Sequence, residues 1–467
     1  MDLNKMKHRQ GALILLILTT LSVTGIYSQN INNNLRSFDN NHALALDTTG
    51  PKFYSSIKEV PFTRDGDINV SFGGEVREQV RYYNHVNYGD VDAGEGESDL
   101  FLWQRFMMHT DWQFGSQVRL FVQLNSTTVF GKNSLSYIDK DLLGFMQAFL
   151  EIRPKSLPMS LKIGRQEVSF GMERIWGARD GPNTRQSFDG MRYTVHLQKT
   201  KGSLFLVFPT SNNYGVFDNR INTNSLYYAG YWEITLKGNR MLDLYYIGNN
   251  RKELCLENDT VDEIRHTVGA RLSKTSGAFY YDTEVTWQSG IHGNLGIQAL
   301  HFSALAGYRW KDAFMSPRLQ LRGRIYTGDR DSLDNHINVF RPVIARGPVN
   351  EMLPIGPTNI AVFNPEGELK FTDGIGLILR YYAVWRVSEN DGIYSPDMEH
   401  LKRAPYPDND GKDMLVTKGI SAELTFTTGP HCNGSFTWGY FVPGNFVKNT
   451  GFGKNTMPLV FKVTYRL

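Results

Sequence analysis

Cysteine is nearly absent: Cys255 and Cys432 are the only two in 467 residues. Their spacing fits no metal pattern and allows at most one disulfide. Long apolar runs are scarce as well. Apart from residues 12–23, no stretch approaches the roughly 20 apolar residues that carry a helix across a bilayer, which excludes a membrane protein made of helices. Net charge is small, with 50 Lys and Arg against 47 Asp and Glu, and the basic residues form no patch, so nucleic-acid binding has no support. Catalytic patterns are missing too: there is no His-Glu-x-x-His helix and no Gly-x-Ser-x-Gly elbow, and the run from Gly451 to Asn455 lacks the Ser or Thr of a phosphate loop. The 11 histidines have no ligand spacing. Asp408-Asn409-Asp410-Gly411-Lys412-Asp413 looks like the start of a calcium loop but lacks the distant Glu, and reads as a polar turn. No enzyme, cofactor or metal site is expected.

What the chain does have is alternation. Aromatic residues make up 13% and glycines number 44, and segment after segment repeats with period two, the spacing of a strand whose side chains point to opposite faces. Val70, Phe72, Gly74, Val76, Val80 and Tyr82 oppose Ser71, Gly73, Glu75, Arg77, Gln79 and Arg81. Leu102, Phe106, Met108, Trp112 and Phe114 oppose Arg105, His109, Asp111 and Gln113, and a tight turn at Gly115 and Ser116 leads to Val118, Leu120, Val122 and Leu124 opposing Arg119, Gln123 and Asn125. Leu319, Leu321 and Ile325 likewise oppose Arg318, Gln320, Arg322 and Arg324. A wall one strand thick with an apolar face and an arginine-rich face is what a transmembrane antiparallel β-barrel requires. A soluble sandwich would show the same alternation with the apolar faces turned inward. Aromatics at segment ends, such as Trp112 with Phe114, Tyr280 with Tyr281, Tyr308 with Trp310 and Tyr381 with Tyr382, favour the membrane because they resemble interfacial girdles.

The pattern predicts about 16 to 18 strands, an even number being expected. Strands are expected near 146–153, 161–168, 188–197, 203–209, 227–237, 241–248, 265–273, 279–288, 298–310, 371–387, 417–427, 434–442 and 457–467 as well. Long connections are expected at 84–99, 251–263, 328–370 and 389–412, against short turns elsewhere. The 328–370 stretch, stiffened by Pro342, Pro348, Pro354, Pro357 and Pro365, is a candidate lumen gate. Lys5, Lys7 and Arg9 precede the apolar run, which reads as a secretory signal peptide over 1–28. Residues 29–67 read as a periplasmic arm or linker, and 68–467 as the barrel. The expected location is the outer membrane of a Gram-negative bacterium, with membrane lipid and the barrel assembly machinery as partners.

One segment is more specific. Gly164-Arg165-Gln166-Glu167, then Phe170-Gly171, Arg179, Gly181-Pro182-Asn183, Arg185 and Phe188-Asp189-Gly190 resemble the central segment of the alginate export family of outer-membrane barrels. The resemblance implies an 18-stranded barrel whose electropositive channel passes an anionic polysaccharide, with periplasmic export components as further partners. Guanidinium suits such a cargo because it is always charged and pairs bidentately with carboxylates. On this reading Arg77, Arg81, Arg105, Arg119, Arg165, Arg322, Arg324 and Arg380 are candidate lumen contacts for an anionic polysaccharide or a small anionic solute. The same arginines could instead brace the wall against Glu75, Asp111, Glu151, Glu167 and Glu284, which share the polar faces. Arg174, Arg179 and Arg185 stand in a glycine-rich connection, with Asp180 and Asp189 as possible partners, and Asp189 reads as part of a structural clasp. A general or uptake porin for small solutes is the alternative function, and a barrel enzyme a more distant one.

Overall fold

The computed structural model describes residues 54, 56–90, 96–256, 259–331, 333–344, 349–396, 400–402, 413–451 and 453–467. The expected signal peptide, most of the expected arm and residues 408–412 of the calcium-like run lie outside them. The described chain closes into an 18-strand antiparallel barrel. Its strands are β1 (Ile68–Tyr83), β2 (Asp99–Phe114), β3 (Val118–Phe130), β4 (Asp141–Ile152), β5 (Met159–Gln166) and β6 (Phe188–His196). They continue with β7 (Thr200–Ser211), β8 (Ser225–Leu236), β9 (Arg240–Leu256), β10 (Asp259–Lys274), β11 (Phe279–His292) and β12 (Leu295–Arg309). The last are β13 (Arg318–Tyr326), β14 (Ile360–Lys370), β15 (Ile375–Arg386), β16 (Leu415–Thr428), β17 (Cys432–Pro443) and β18 (Pro458–Arg466). Each pairs with its neighbour in sequence, and β18 returns to β1 through pairs from Glu75↔Arg466 to Tyr83↔Pro458, so the sheet has no open edge.

The faces sort as a membrane wall and not as a sandwich. Phe106 is 51% exposed, Trp287 49% and Ile163 45%, whereas Arg105 is fully buried and Arg119 2% exposed. Apolar side chains point outward to lipid and charged ones inward, while the closed ladder of strands satisfies the backbone within a bilayer. Among the described residues no helix is long and apolar enough to cross a membrane. Turns at one end are short, as at residues 115–117, 237–239 and 429–431, while the connections at the other end include 167–187, 327–359 and 387–414. Cys432 carries a free thiol.

Three local expectations need correction. Residues 251–263 are mostly strand, because β9 and β10 run on as a hairpin through Leu254↔Val261 and Leu256↔Asp259. The long connection after β13 spans 327–359, and residues 360–370 form β14, which holds Pro365. Proline has no N–H to give the ladder, and there the Asn364 side chain donates to the Tyr381 carbonyl at 2.7 Å. Two of the four aromatic pairs at segment ends, Tyr280 with Tyr281 and Tyr381 with Tyr382, split because adjacent strand residues face opposite ways, whereas Tyr308 and Trp310, two apart, both face outward. Tyr308 and Tyr381 face outward at 42% and 39% exposure, while Tyr280 and Tyr382 are buried on the lumen side.

Gly164 and Gly190 face each other across β5 and β6. Their φ angles are +124° and +156°, and a Cβ on either would lie 2.3 or 2.2 Å from a backbone oxygen of the next strand. Only glycine fits this pair of positions. The two glycines of the family-like segment therefore set local wall geometry.

The candidate conduction path

Two connections fold into the lumen and meet there. Residues 167–187 leave the top of β5, and residues 327–359 leave the top of β13. Trp176 forms a parallel bridge with Ile344. The Gly177 amide donates to the Ile344 carbonyl at 2.7 Å, and the Ile344 amide to the Ile175 carbonyl at 3.1 Å. Trp176, Phe340, Ile355 and Ile360 are fully buried and pack with Phe188, Phe205, Tyr227 and Tyr326 in one apolar cluster. The barrel's only large apolar core among the described residues thus sits inside the lumen, where it narrows the path.

Ion pairs hold the first loop to the wall. Arg105 donates to Glu75 Oε1 at 2.7 Å and to Asp180 Oδ1 at 2.7 Å. Arg77 donates to Asp180 Oδ2 at 3.0 Å and to its carbonyl at 2.8 Å. The Asn183 carboxamide donates to the carbonyls of Gln104, Thr128 and Asp139, which explains why asparagine stands beside Gly181 and Pro182. Arg185 spans the loop's base to Glu167 at 2.8 Å. Arg174 reaches across to β11, donating to Asp282 Oδ1 at 2.6 Å and Glu284 Oε2 at 2.8 Å. Arg179, half-buried with φ +53°, donates to the Tyr137 hydroxyl at 2.6 Å. Burial, with Asp180 and Glu173 nearby, outweighs Arg185 and Arg105 and pushes the Glu167 carboxyl up to about 7.

The remaining candidate arginines divide by their company. Arg119 is bidentate on Asp111 at 2.8 and 2.9 Å and also meets Glu151. Arg81 stacks on Trp103 at 4.7 Å and donates to the Tyr83 hydroxyl and the Glu351 carbonyl. Arg380 bridges Glu366 and Glu423, both at 2.7 Å. Arg165 shares the outward face with Ile163 and pairs with Asp189 at 3.0 Å, and Asp189 also accepts from Thr210 at 2.9 Å. The structure therefore pairs Asp189 with Arg165 and not with Arg174, Arg179 or Arg185.

Arg322 differs from these. It projects into the lumen from β13, makes no ion pair among the described residues, and its buried Nε has no hydrogen-bond partner. Glu366, Arg174 and Arg380 lie within electrostatic reach of it, and Arg324 projects from the same face two residues on. Sequence reading passed over Arg271, which joins Asp243 and Asp282, and Arg265, which joins Glu263. Both occur in the alternation Arg265, Thr267, Gly269, Arg271, Ser273 of β10, which carried the signal. Arg341 stands opposite Glu263 on the second inward loop, where no strand period applies.

The alginate export family profile matches residues 68–459, the whole barrel up to the start of its last strand. The chain belongs to the alginate export family. No curated protein matches it. Among solved structures this family member is similar to Pseudomonas aeruginosa OpdO, with TM-score 0.57 and 13% identity over 87% of this chain and 99% of that one. It is also similar to P. aeruginosa OccK2 (OpdF) in complex with glucuronate, with TM-score 0.56 and 13% identity over 85% and 98% of the two chains. P. aeruginosa OccK8 (OprE) gives TM-score 0.53 and 12% identity over 85% and 98%. Likeness at such identity is one of fold, and the family supplies the rest: this alginate-export barrel is an outer-membrane channel.

Proposed function

We propose that the channel passes an anionic polysaccharide, or a related carboxylate-bearing solute, passively along the arginines of its lumen. Arg322 carries this reading, because its lumen-facing guanidinium makes no ion pair among the described residues, with Glu366, Arg174 and Arg380 all within electrostatic reach and Arg324 on the same strand face. Several guanidinium sites of modest strength let a polyanion advance, whereas one strong site would hold it. The glucuronate held by OccK2, a barrel of the same fold, supports uronates as the class. Arg77, Arg81, Arg105 and Arg119 act in this reading mainly by fixing the loop and the wall, and Arg322, Arg324 and Arg380 meet the cargo. Secretion through a cleaved signal peptide, insertion by the barrel assembly machinery and feeding by periplasmic export components belong to the same proposal.

A general small-solute porin is the second reading, favoured by the many arginines already neutralised by carboxylates. Block of single-channel current by oligouronates separates the two. Arg322→Glu is expected to raise the blocking concentration roughly tenfold, about 1.4 kcal/mol, as for the loss of one charge-assisted contact. Equal block of wild type and Arg322→Glu, or none in either, would favour the general porin.

A further inference from the structure

β5 has 8 residues and β6 has 9, against 12 in β4. β5 pairs with β4 only from Ala148 to Ile152, so the upper edge of β4 has no strand on that side. Residues from the β7–β8 connection fill the place. Leu143 forms a parallel bridge with Val216, its amide donates to the Gly215 carbonyl at 3.3 Å, and the Phe217 amide donates back to Leu143 at 2.7 Å. Outside the barrel the rings of Phe145 and Phe217 lie 5.1 Å apart.

Behind this patch is a buried carboxylate with no ion pair among the described residues, although Arg165 lies within electrostatic reach of it. Asp141 is 2% exposed. Its Oδ2 accepts from Asn219 at 2.8 Å and Asn125 at 3.5 Å, and its Oδ1 has no partner. Asn125 is 1% exposed, and its carboxamide points at the same carboxylate with Oδ1 unpartnered. Asp218 lies within electrostatic reach of Asp141, accepts from the Gly215 amide on Oδ2 at 3.0 Å, and leaves its buried Oδ1 unpartnered. Gly144 forms the floor, where a Cβ would stand 2.6 Å from Asn219 Nδ2 and 3.0 Å from Asp141 Oδ2. Neighbouring carboxylates have cations: Asp139 has Lys132 at 2.6 Å, and Asp189 holds Arg165 at 3.0 Å. A buried charge ordinarily carries a counter-charge or binds a metal.

We propose that Asp141, Asp218 and Asn125 bind a divalent, oxygen-seeking cation, Ca²⁺, which fastens residues 212–219 to the upper edge of β4. The donors are two carboxylates and an amide oxygen, with no sulfur or imidazole, which suits calcium and not zinc. The two ends of an asparagine carboxamide are nearly equal in shape, so a half-turn of Asn125 presents Oδ1 to the ion. Among the described residues no group of three or more His, Cys, Asp and Glu forms, so amide oxygens and water complete the shell. With only two charges the affinity belongs to the weak extracellular range of roughly 10⁻⁴–10⁻³ M.

The test is hydrogen exchange of residues 212–219 in the full barrel in detergent, stripped with EDTA and then titrated with Ca²⁺ or, as a control, Mg²⁺. Protection should rise several-fold in millimolar Ca²⁺ for wild type, and not for Asp141→Asn or Asp218→Asn. Asp218 lies in the connection and not in the wall, so Asp218→Asn decides the matter even if Asp141→Asn does not fold. Wild type without a Ca²⁺ response, or an unchanged response in Asp218→Asn, would overturn the site.

Discussion

Arg105 is the side chain on which the first inward loop hangs. Fully buried, it binds one carboxylate of the wall and one of the loop at 2.7 Å each. Removing one member of such a group leaves buried charge uncompensated, which typically costs roughly 3–5 kcal/mol. Arg105→Met is therefore expected to lower the urea midpoint of the folded barrel in detergent more than Arg322→Met, whose guanidinium makes no direct ion pair among the described residues. Equal shifts would contradict the assigned roles. Gly190→Ala places a methyl 2.2 Å from the Leu206 carbonyl at positive φ, a strain of about 1–3 kcal/mol. It should lower the yield of folded barrel, while Gly323→Ala, with nothing within 4 Å and no positive φ, loses much less. At this scale the sequence was only half legible. Parity placed Arg77, Arg105 and Arg119 on the inner face because strands alternate, but which carboxylate each would meet depends on a loop whose path has no period. Arg165 shows the limit: period two already sets it on the face of Ile163, so its place among the lumen candidates rested on residue type alone, and the structure puts that face outward.

Each inward loop is held by a few polar groups around an apolar centre. Glu167 closes the base of the first loop, and its carboxyl sits at about 7 in place of the ordinary 4.5. A raised carboxyl pKa favours the folded loop fully below the ordinary value, and that contribution is lost as pH rises through the folded value. Exchange protection of residues 167–187, corrected for intrinsic rates, should therefore fall progressively as pH rises from about 4.5 to about 7 and level off above that. Glu167→Gln should flatten the dependence, and a wild-type profile without slope would remove Glu167 from this role. Legibility at this scale followed the strength of the alternation. β1, β2 and β3 were plain, while β14 was hidden because Pro365 interrupts its run, and the ends of β9 and β10 because charged residues that read as loop extend the hairpin. The long connection after β13 was anticipated, but its partnership with residues 175–177 was not, since a bridge between two loops leaves no local pattern.

For the whole molecule, a closed wall with an apolar outside and an arginine-rich inside follows from one repeated rule, so the barrel and its channel class were the most legible features. The cargo is less so, because fold alone serves many solutes. Most lumen arginines are neutralised locally, Arg174 among them by Asp282 and Glu284, and the inward-facing Arg322 of β13, which makes no ion pair among the described residues, marks the less neutralised part of the lumen. That region governs selectivity in this account. The decisive measurement is the reversal potential of the purified barrel in a planar bilayer across a tenfold KCl gradient, for wild type and Arg322→Glu/Arg324→Glu. An anion-selective wild type whose potential moves toward zero or changes sign in the double variant is the expected result. A cation-selective or unselective wild type, or a double variant with an unchanged potential, would contradict it.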